Sequence, residues 1–249
     1  MARSVRDMPD AVFDVPRLAE VYDPLYPDRC DLDVYLAIVD EFGARSVVDV
    51  GCGTGTFACM LAHRGVNVIG VDPAAASLEV ARRKPGADRV QWLFGDATTL
   101  PGIQVDMATM TANVAQVFLT DEDWTATLHG IRAALRSGGH LVFETRDPAR
   151  QAWLEWNREQ SYVRTDIPGV GEVESWEELA DVTEDLVTFR SYTVFHSDGA
   201  TLTSDSTLRF RRRDEIEESL NAVGYVVDEV REAPDRPGRE FVFVTRRIS

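Results

Sequence analysis

The stretch Ser46-Val47-Val48-Asp49-Val50-Gly51-Cys52-Gly53-Thr54-Gly55 constrains the fold more than any other part of the chain. Its first five residues, three of them valine, read as a short strand buried on both faces. Glycines then alternate at 51, 53 and 55, and a helical pattern begins. Phe57, Met60 and Leu61 fall at i, i+3, i+4, with Gly65 as the stop. Strand, glycine turn and helix N-terminus in succession let backbone approach a ligand closely. Glycines at these positions would equally serve a tight turn with no ligand, so the second strand matters. That strand, Asn67–Asp72, ends in a carboxylate 17 residues beyond Gly55.

The offset is close to the roughly 20 residues at which such an acid meets a ribose hydroxyl pair in dinucleotide-binding folds. The dinucleotide fingerprint also wants a third glycine at position 56, where this chain has Thr56, its glycine coming one residue early at Gly55. Asp49, two residues before the first glycine, would repel a pyrophosphate at close range and suits a cationic ligand better. S-adenosylmethionine carries an amino group and a sulfonium, and no phosphate. With an acid followed by G-x-G-x-G, the chain resembles the class I S-adenosylmethionine-dependent methyltransferases, and the resemblance extends along almost its whole length.

The resemblance implies S-adenosylmethionine as cofactor, held by Asp49, Gly51, Cys52, Gly53, Gly55, Asp72 and Pro73. A third strand, Val90–Phe94, runs into Gly95-Asp96-Ala97, where the family contacts the adenine amino group. A carboxylate can accept from that amine. Asp96 after glycine would also suit a plain turn. Strand Val105–Met110 follows, and in the family its end borders the transferred methyl group. Thr111 and Asn113 are thereby implied as cofactor contacts and Gln116 as an acceptor contact. The (Asn/Asp)-Pro-Pro-aromatic motif of adenine-N6 and similar amino methyltransferases is absent here. Thr120 with Asp123 opens a helix carrying Trp124, Leu128, Ile131 and Leu135 at core spacing, closed by Gly138-Gly139. A fifth strand, His140–Arg146, brings Glu144 and Arg146 to the same rim. Arg146 either binds an acceptor carboxylate or pairs with Asp147.

This strand–helix alternation specifies an α/β fold: a Rossmann-like, seven-stranded, mostly parallel sheet with helices on both faces. Strands Tyr225–Val230 and Glu240–Thr245 around Asp235-Arg236-Pro237-Gly238 close it with an antiparallel hairpin. The helix before them carries Ile216, Leu220 and Val223 and stops at Gly224. The order of elements divides the chain into an N-terminal helical lid (1–43), a core (44–146 and 212–249) and an insert (147–211). Residues 1–12 are polar, aperiodic and expected to be mobile. Tyr22 and Tyr26, in Tyr-Asp-Pro-Leu-Tyr, match the segment that folds over the cofactor in small-molecule members of the family, or are packing aromatics. In the insert Trp153 and Trp156 fall at i, i+3 of an expected helix. Extended runs follow near 171–180, 186–196 and 201–211, the last two joined at Ser197-Asp198-Gly199. Such a unit resembles the antiparallel cover of the acceptor site, which makes Trp153 and Tyr192 acceptor contacts beside Tyr26, Gln116 and Arg146. Its acidic run (Glu172, Glu174, Glu177, Glu178, Asp181, Glu184, Asp185) is a solvated face or, if it lines the pocket, favours a cationic or amine acceptor.

The implied reaction is in-line transfer of the sulfonium methyl to nitrogen or oxygen of a small molecule. Tyr22, His196 and Glu144 are the candidate bases, with His140 less well placed inside a strand. A net charge of −16 opposes non-specific attraction to nucleic acid or anionic membrane. The three cysteines, Cys30, Cys52 and Cys59, lack C-x-x-C spacing, so neither zinc nor a disulfide framework is expected. With no signal-peptide pattern and no apolar span, a cytoplasmic monomer or homodimer is expected. Two alternatives belong to other classes: a non-catalytic S-adenosylmethionine or S-adenosylhomocysteine-binding module, and an NAD-dependent oxidoreductase, against which Thr56 and Asp49 count.

Overall fold

In the computed structural model, residues 9–248 are described. Residues 1–8, the larger part of the segment expected to be mobile, lie outside them, whereas Ala11–Asp14 already form a helical turn, α1.

Alternating side chains in the valine-rich strands explain the layers. In β1 (Ser46–Val50), Val47 points to one face and Val48 to the other, and both are wholly buried. β1 pairs in parallel with β2 (Asn67–Asp72) and with β4 (Val105–Met110). β3 (Val90–Phe94), β5 (Leu135–Arg146), β10 (Tyr225–Glu232) and β11 (Glu240–Arg247) complete a seven-stranded sheet in the order β10-β11-β5-β4-β1-β2-β3. The closing strand β11 runs antiparallel to β5 and β10. Val47, Val68, Met107, Val142 and Val242 meet α3 (Asp33–Glu41) and α4 (Thr56–His63) on one face. Val48, Val71, Met110 and Phe143 meet α6 (Asp121–Ala134) and α8 (Arg213–Val223) on the other. α5 (Ala75–Ala81) joins β2 to β3. The strand order reverses between β1 and β4, the crevice where open α/β sheets bind ligands.

A second, antiparallel sheet consists of β6 (Val163–Ile167), β7 (Gly171–Thr183), β8 (Leu186–Phe195) and β9 (Ala200–Arg209). Helix α2 (Pro16–Leu25) lies against it: Leu18, Val21 and Leu25 pack on Ile167, Val173 and Phe195. Among the described residues no helix is long and apolar enough to cross a membrane.

Two segments differ from the sequence expectation. The helix expected over Trp153 and Trp156 is a 3-10 turn, Ala152–Glu155, and a separate turn of helix, α7 (Arg158–Ser161). Asn157 breaks the run: its backbone is extended and its side chain accepts from Gln160 N, starting a new helix. Helix α6 stops at Ala134, so Gly138-Gly139 do not terminate it but lie inside β5. There the pairing with β4 jumps from Val105↔Leu135 to Met107↔His140, and a Cβ at Gly139 would lie 3.0 Å from Asp106 O.

Candidate active site

The crevice at the carboxyl ends of β1 and β4 is built first by backbone. Gly51 and Gly55 take φ +71° and +76°, and a Cβ would lie 2.7 Å from Val114 Cγ2 at the first and 2.4 Å from Trp92 Cη2 at the second. Only glycine fits both demands. Asp72 ties this turn to β2: Oδ2 accepts from Gly53 N at 2.7 Å and Oδ1 from Ala74 N at 2.8 Å. Burial raises its pKa against the lowering effect of those two backbone donors. Two of the carboxylate's roughly four acceptor sites are thus used and the others remain for a ligand. Pro73 carries the chain from this carboxylate toward α5.

Asp49 does not reach the crevice surface. It is 1 % exposed, accepts from Thr109 Oγ1 at 2.9 Å, and burial pushes it up to about 7. Cys52, half-buried, donates its backbone N–H to Val71 O at 3.2 Å, and burial raises its thiol. At the end of β3, Asp96 caps the turn Ala97–Thr99, with Oδ1 accepting from Thr98 N and Oγ1 at 2.8 and 2.6 Å. Its Oδ2 has no protein hydrogen bond among the described residues, so acceptor capacity is left beyond the turn contacts. Ala97 is buried against Gly130 of α6.

Beyond β4 the backbone is strained: Ala112 and Asn113 both take left-handed φ, +56° and +61°. Glu144, brought here by β5, holds that conformation by accepting from Asn113 N at 3.1 Å, and the Tyr35 hydroxyl of α3 donates to its other oxygen. Glu144 is 5 % exposed, and burial beside Glu240 pushes it up to about 7. Asn113 Nδ2 donates to Glu240 at 3.4 Å, while Asn113 Oδ1 is buried with no partner. Thr111 is buried in the same loop. Arg146 donates to Gln116 Oε1 at 2.9 Å and lies 3.8 Å from Glu240, its ordinary basicity reduced by burial. It therefore does not pair with Asp147, which alternation sends to the other side of the strand to accept from Ala149 N.

Helix α2 is fastened at the turn. Asp23 of α2 accepts from Thr54 Oγ1 at 2.8 Å and Thr56 Oγ1 at 3.3 Å, and Lys84 Nζ lies 2.7 Å from its other oxygen. Lys84 also donates to Thr56 Oγ1 at 2.5 Å. This cluster was not singled out from sequence, although Lys84 is the only lysine in the chain. Next to Asp23, Tyr22 and Tyr26 contact each other with centroids 5.4 Å apart. Tyr26 is 38 % exposed, yet its hydroxyl is pushed up to about 12, chiefly by desolvation. Its hydroxyl is hydrogen-bonded to Ser175 of β7. Burial raises Tyr22 likewise.

Three expected contacts lie elsewhere, and strand parity is the reason for two of them. On β7 and β8, Val173, Ser175, Glu177, Val187, Phe189, Ser191 and Phe195 share the inner face. Tyr192 has the opposite parity and stacks on Trp176 of the outer face at 5.0 Å. His196, also outside, sits 3.0 Å from Glu174 and 3.7 Å from Glu172, whose carboxylate is taken by Arg164. A general base at His196 would be on the wrong side of the sheet. Trp153 packs edge-on against Phe210 at 4.7 Å, and Trp156 takes the place against Arg146, 5.5 Å from ring centroid to guanidinium. His140 rests on Phe42 at the opposite end of β5.

Residues 47–139 match the family model described as a methyltransferase domain. A curated relative, the cypemycin N-terminal methyltransferase of a Streptomyces species, is 34% identical over 106 residues, 42% of this chain and 43% of that one. The alignment thus spans less than half of the relative's length. Similarity of fold runs further. An S-adenosylmethionine-dependent methyltransferase from Clostridium acetobutylicum superposes with a TM-score of 0.76 at 17% identity, covering 94% of this chain and 99% of that one. The sugar N-methyltransferase KedS8 from a Streptoalloteichus species gives a TM-score of 0.74 at 20% identity, over 92% and 93% of the two chains.

Proposed function

We propose that this chain is a class I S-adenosylmethionine-dependent methyltransferase, which transfers the methyl group of S-adenosylmethionine to nitrogen or oxygen of a small-molecule acceptor. The observation that carries the reading is Asp72, which closes the glycine turn through Gly53 N and keeps acceptor capacity at the crevice mouth. The cofactor's ribose hydroxyls and ammonium are donors, and Asp72, the free Oδ2 of Asp96 and the orphaned Asn113 Oδ1 are acceptors. The fit is chemical. Thr56 stands where the dinucleotide fingerprint wants its third glycine.

S-adenosylmethionine supplies an electrophilic methyl group on a sulfonium, so the chain's residues have to align the acceptor and keep the cleft dry. The glycine turn admits the cofactor backbone-close, Asp72 fixes the ribose, and Asp96 takes the adenine amino group. Helix α2 roofs the crevice, with Tyr22 and Tyr26 between it and the β cover, excluding water. Glu144 acts behind the site: with both oxygens engaged by Tyr35 and Asn113 N, it fixes the strained loop after β4 and does not touch the acceptor. Proton removal falls instead to groups on the cleft side.

Asp72→Ala removes acceptors to both ribose hydroxyls, at roughly 1.5–3 kcal/mol for each charge-assisted hydrogen bond. S-adenosylhomocysteine affinity, measured by calorimetry, is expected to fall at least about tenfold. Unchanged affinity in a variant with a normal melting curve would overturn the assignment.

A further inference from the structure

The acidic run of β7 is divided by strand parity. Glu172, Glu174 and Glu178 share the outer face, where Glu172 meets Arg164, Glu174 meets His196, and Glu178 accepts from the Trp176 indole. Glu177 alone among them turns inward, on the face that carries Val173 against α2 and Ser175 beside the Tyr26 hydroxyl. Its backbone is fixed by Ser161, whose Oγ accepts from Glu177 N at 2.9 Å and donates to its carbonyl at 3.2 Å. Its carboxylate makes no hydrogen bond or ion pair among the described residues. Desolvation raises its pKa, and the charges it feels are those around the cleft: Arg146 lowers it, and it in turn raises Tyr22 and Tyr26. An uncommitted carboxylate in a half-closed cleft is costly unless something completes it.

We infer that Glu177 is the specificity-determining anchor for an amine acceptor, which it binds in the ammonium form between the lid tyrosines and Arg146. This rests on the methyltransferase reading and narrows its acceptor. Arg146 does not supply the missing partner: its guanidinium is engaged by Gln116, Glu240 and the Trp156 ring. Arg236 is likewise spent on Glu240, at 2.7 Å. Carboxylates therefore outweigh free cations around the cleft, so an acceptor bearing a carboxylate is disfavoured and a neutral hydroxyl leaves Glu177 without a counter-charge. Arg146, whose charge acts on Glu177, lies 3.8 Å from Glu240, which accepts from Asn113 in the loop where β4 ends. The Glu177 carboxylate takes a proton from the bound ammonium. The freed lone pair forms the N–C bond to the methyl carbon, the C–S pair returns to sulfur, and the positive charge passes from sulfur to the methylated nitrogen. The Tyr22 and Tyr26 rings flanking Glu177 add favourable faces for that charge.

The test uses the whole chain saturated with S-adenosylhomocysteine, and cyclohexylammonium and cyclohexanol as matched probes, titrated while tryptophan fluorescence or protein NMR shifts are followed. Cyclohexylammonium is expected to bind more tightly than cyclohexanol, and Glu177→Gln is expected to abolish that preference, a change of about tenfold to a hundredfold. S-adenosylhomocysteine affinity and melting temperature of the variant serve as controls: the affinity is expected to be unchanged and the melting temperature not to fall. If the wild-type chain binds S-adenosylhomocysteine yet shows no preference for the ammonium, or if Glu177→Gln retains it, the amine assignment is wrong while the methyltransferase reading stands. If S-adenosylhomocysteine itself does not bind, the broader reading fails first.

Discussion

At the residue scale, the buried carboxyl groups of the core make stability fall as pH rises. Glu144 ordinarily ionises near 4.5, and in the fold burial and Glu240 push it up to about 7. Below its ordinary value both folded and unfolded chains hold the proton, and no penalty arises. Between there and about 7 only the folded chain holds it, so the stability this group contributes is lost as pH rises through that window. Asp49, also pushed up to about 7 by burial, adds to the same slope. At about 1.4 kcal/mol for each pKa unit, Glu144 alone accounts for up to about 3 kcal/mol. Glu144→Gln is expected to flatten the fall in melting temperature between about pH 5 and 7. An identical slope in the variant would show that the carboxyl is not held protonated. Glutamine can keep its oxygen on Asn113 N and donate its amide N–H to the Tyr35 hydroxyl, so the loop at Asn113 is expected to survive the change.

At the scale of elements, helix α2 is fixed from two sides. Leu18, Val21 and Leu25 bind it to the β cover, and Asp23 binds it to the glycine turn through Thr54, Thr56 and Lys84. The apolar side holds the helix in place, whereas the polar side couples it to the glycine turn. Lys84→Met removes the cation and leaves Asp23 with hydroxyl donors alone. Because the pair is partly open to solvent, the expected loss is about 1 kcal/mol, read as roughly fivefold faster release of S-adenosylhomocysteine in a stopped-flow chase. Cleavage at Arg17 by trypsin is expected to accelerate in parallel. A variant with unaltered release and unaltered cleavage would show that α2 is held by its apolar face only. The same two-sided fixing makes Tyr22 and Tyr26 walls of a cleft, since neither can move without α2.

At the scale of the whole molecule, the sheet was legible in sequence because local signals specify it. Valine runs, glycine stops and acids at strand ends repeat at fixed intervals, and β1, β3 and β4 occur where those signals put them. The positions of Asp72 and Asp96, at and just beyond the carboxyl ends of β2 and β3, were readable for the same reason. What escaped were pairings across the chain. Asp23 meets Thr54 31 positions away, and Tyr35 meets Glu144 across 109. No periodicity records such meetings. The cover was legible as strands but not as faces, because a long acidic run with a bulge between Leu179 and Asp181 hides which alternation is inward. His196 and Tyr192 were thereby assigned to a cleft they back away from, and Glu177 was lost among its neighbours. Every part of the functional reading depends on the crevice between β1 and β4 taking S-adenosylmethionine. Calorimetric titration of the purified chain with S-adenosylhomocysteine, with NAD as the control, tests this most directly. Binding in roughly the micromolar range for S-adenosylhomocysteine and no heat from NAD is the expected result. Binding of NAD alone, or of neither, would contradict it.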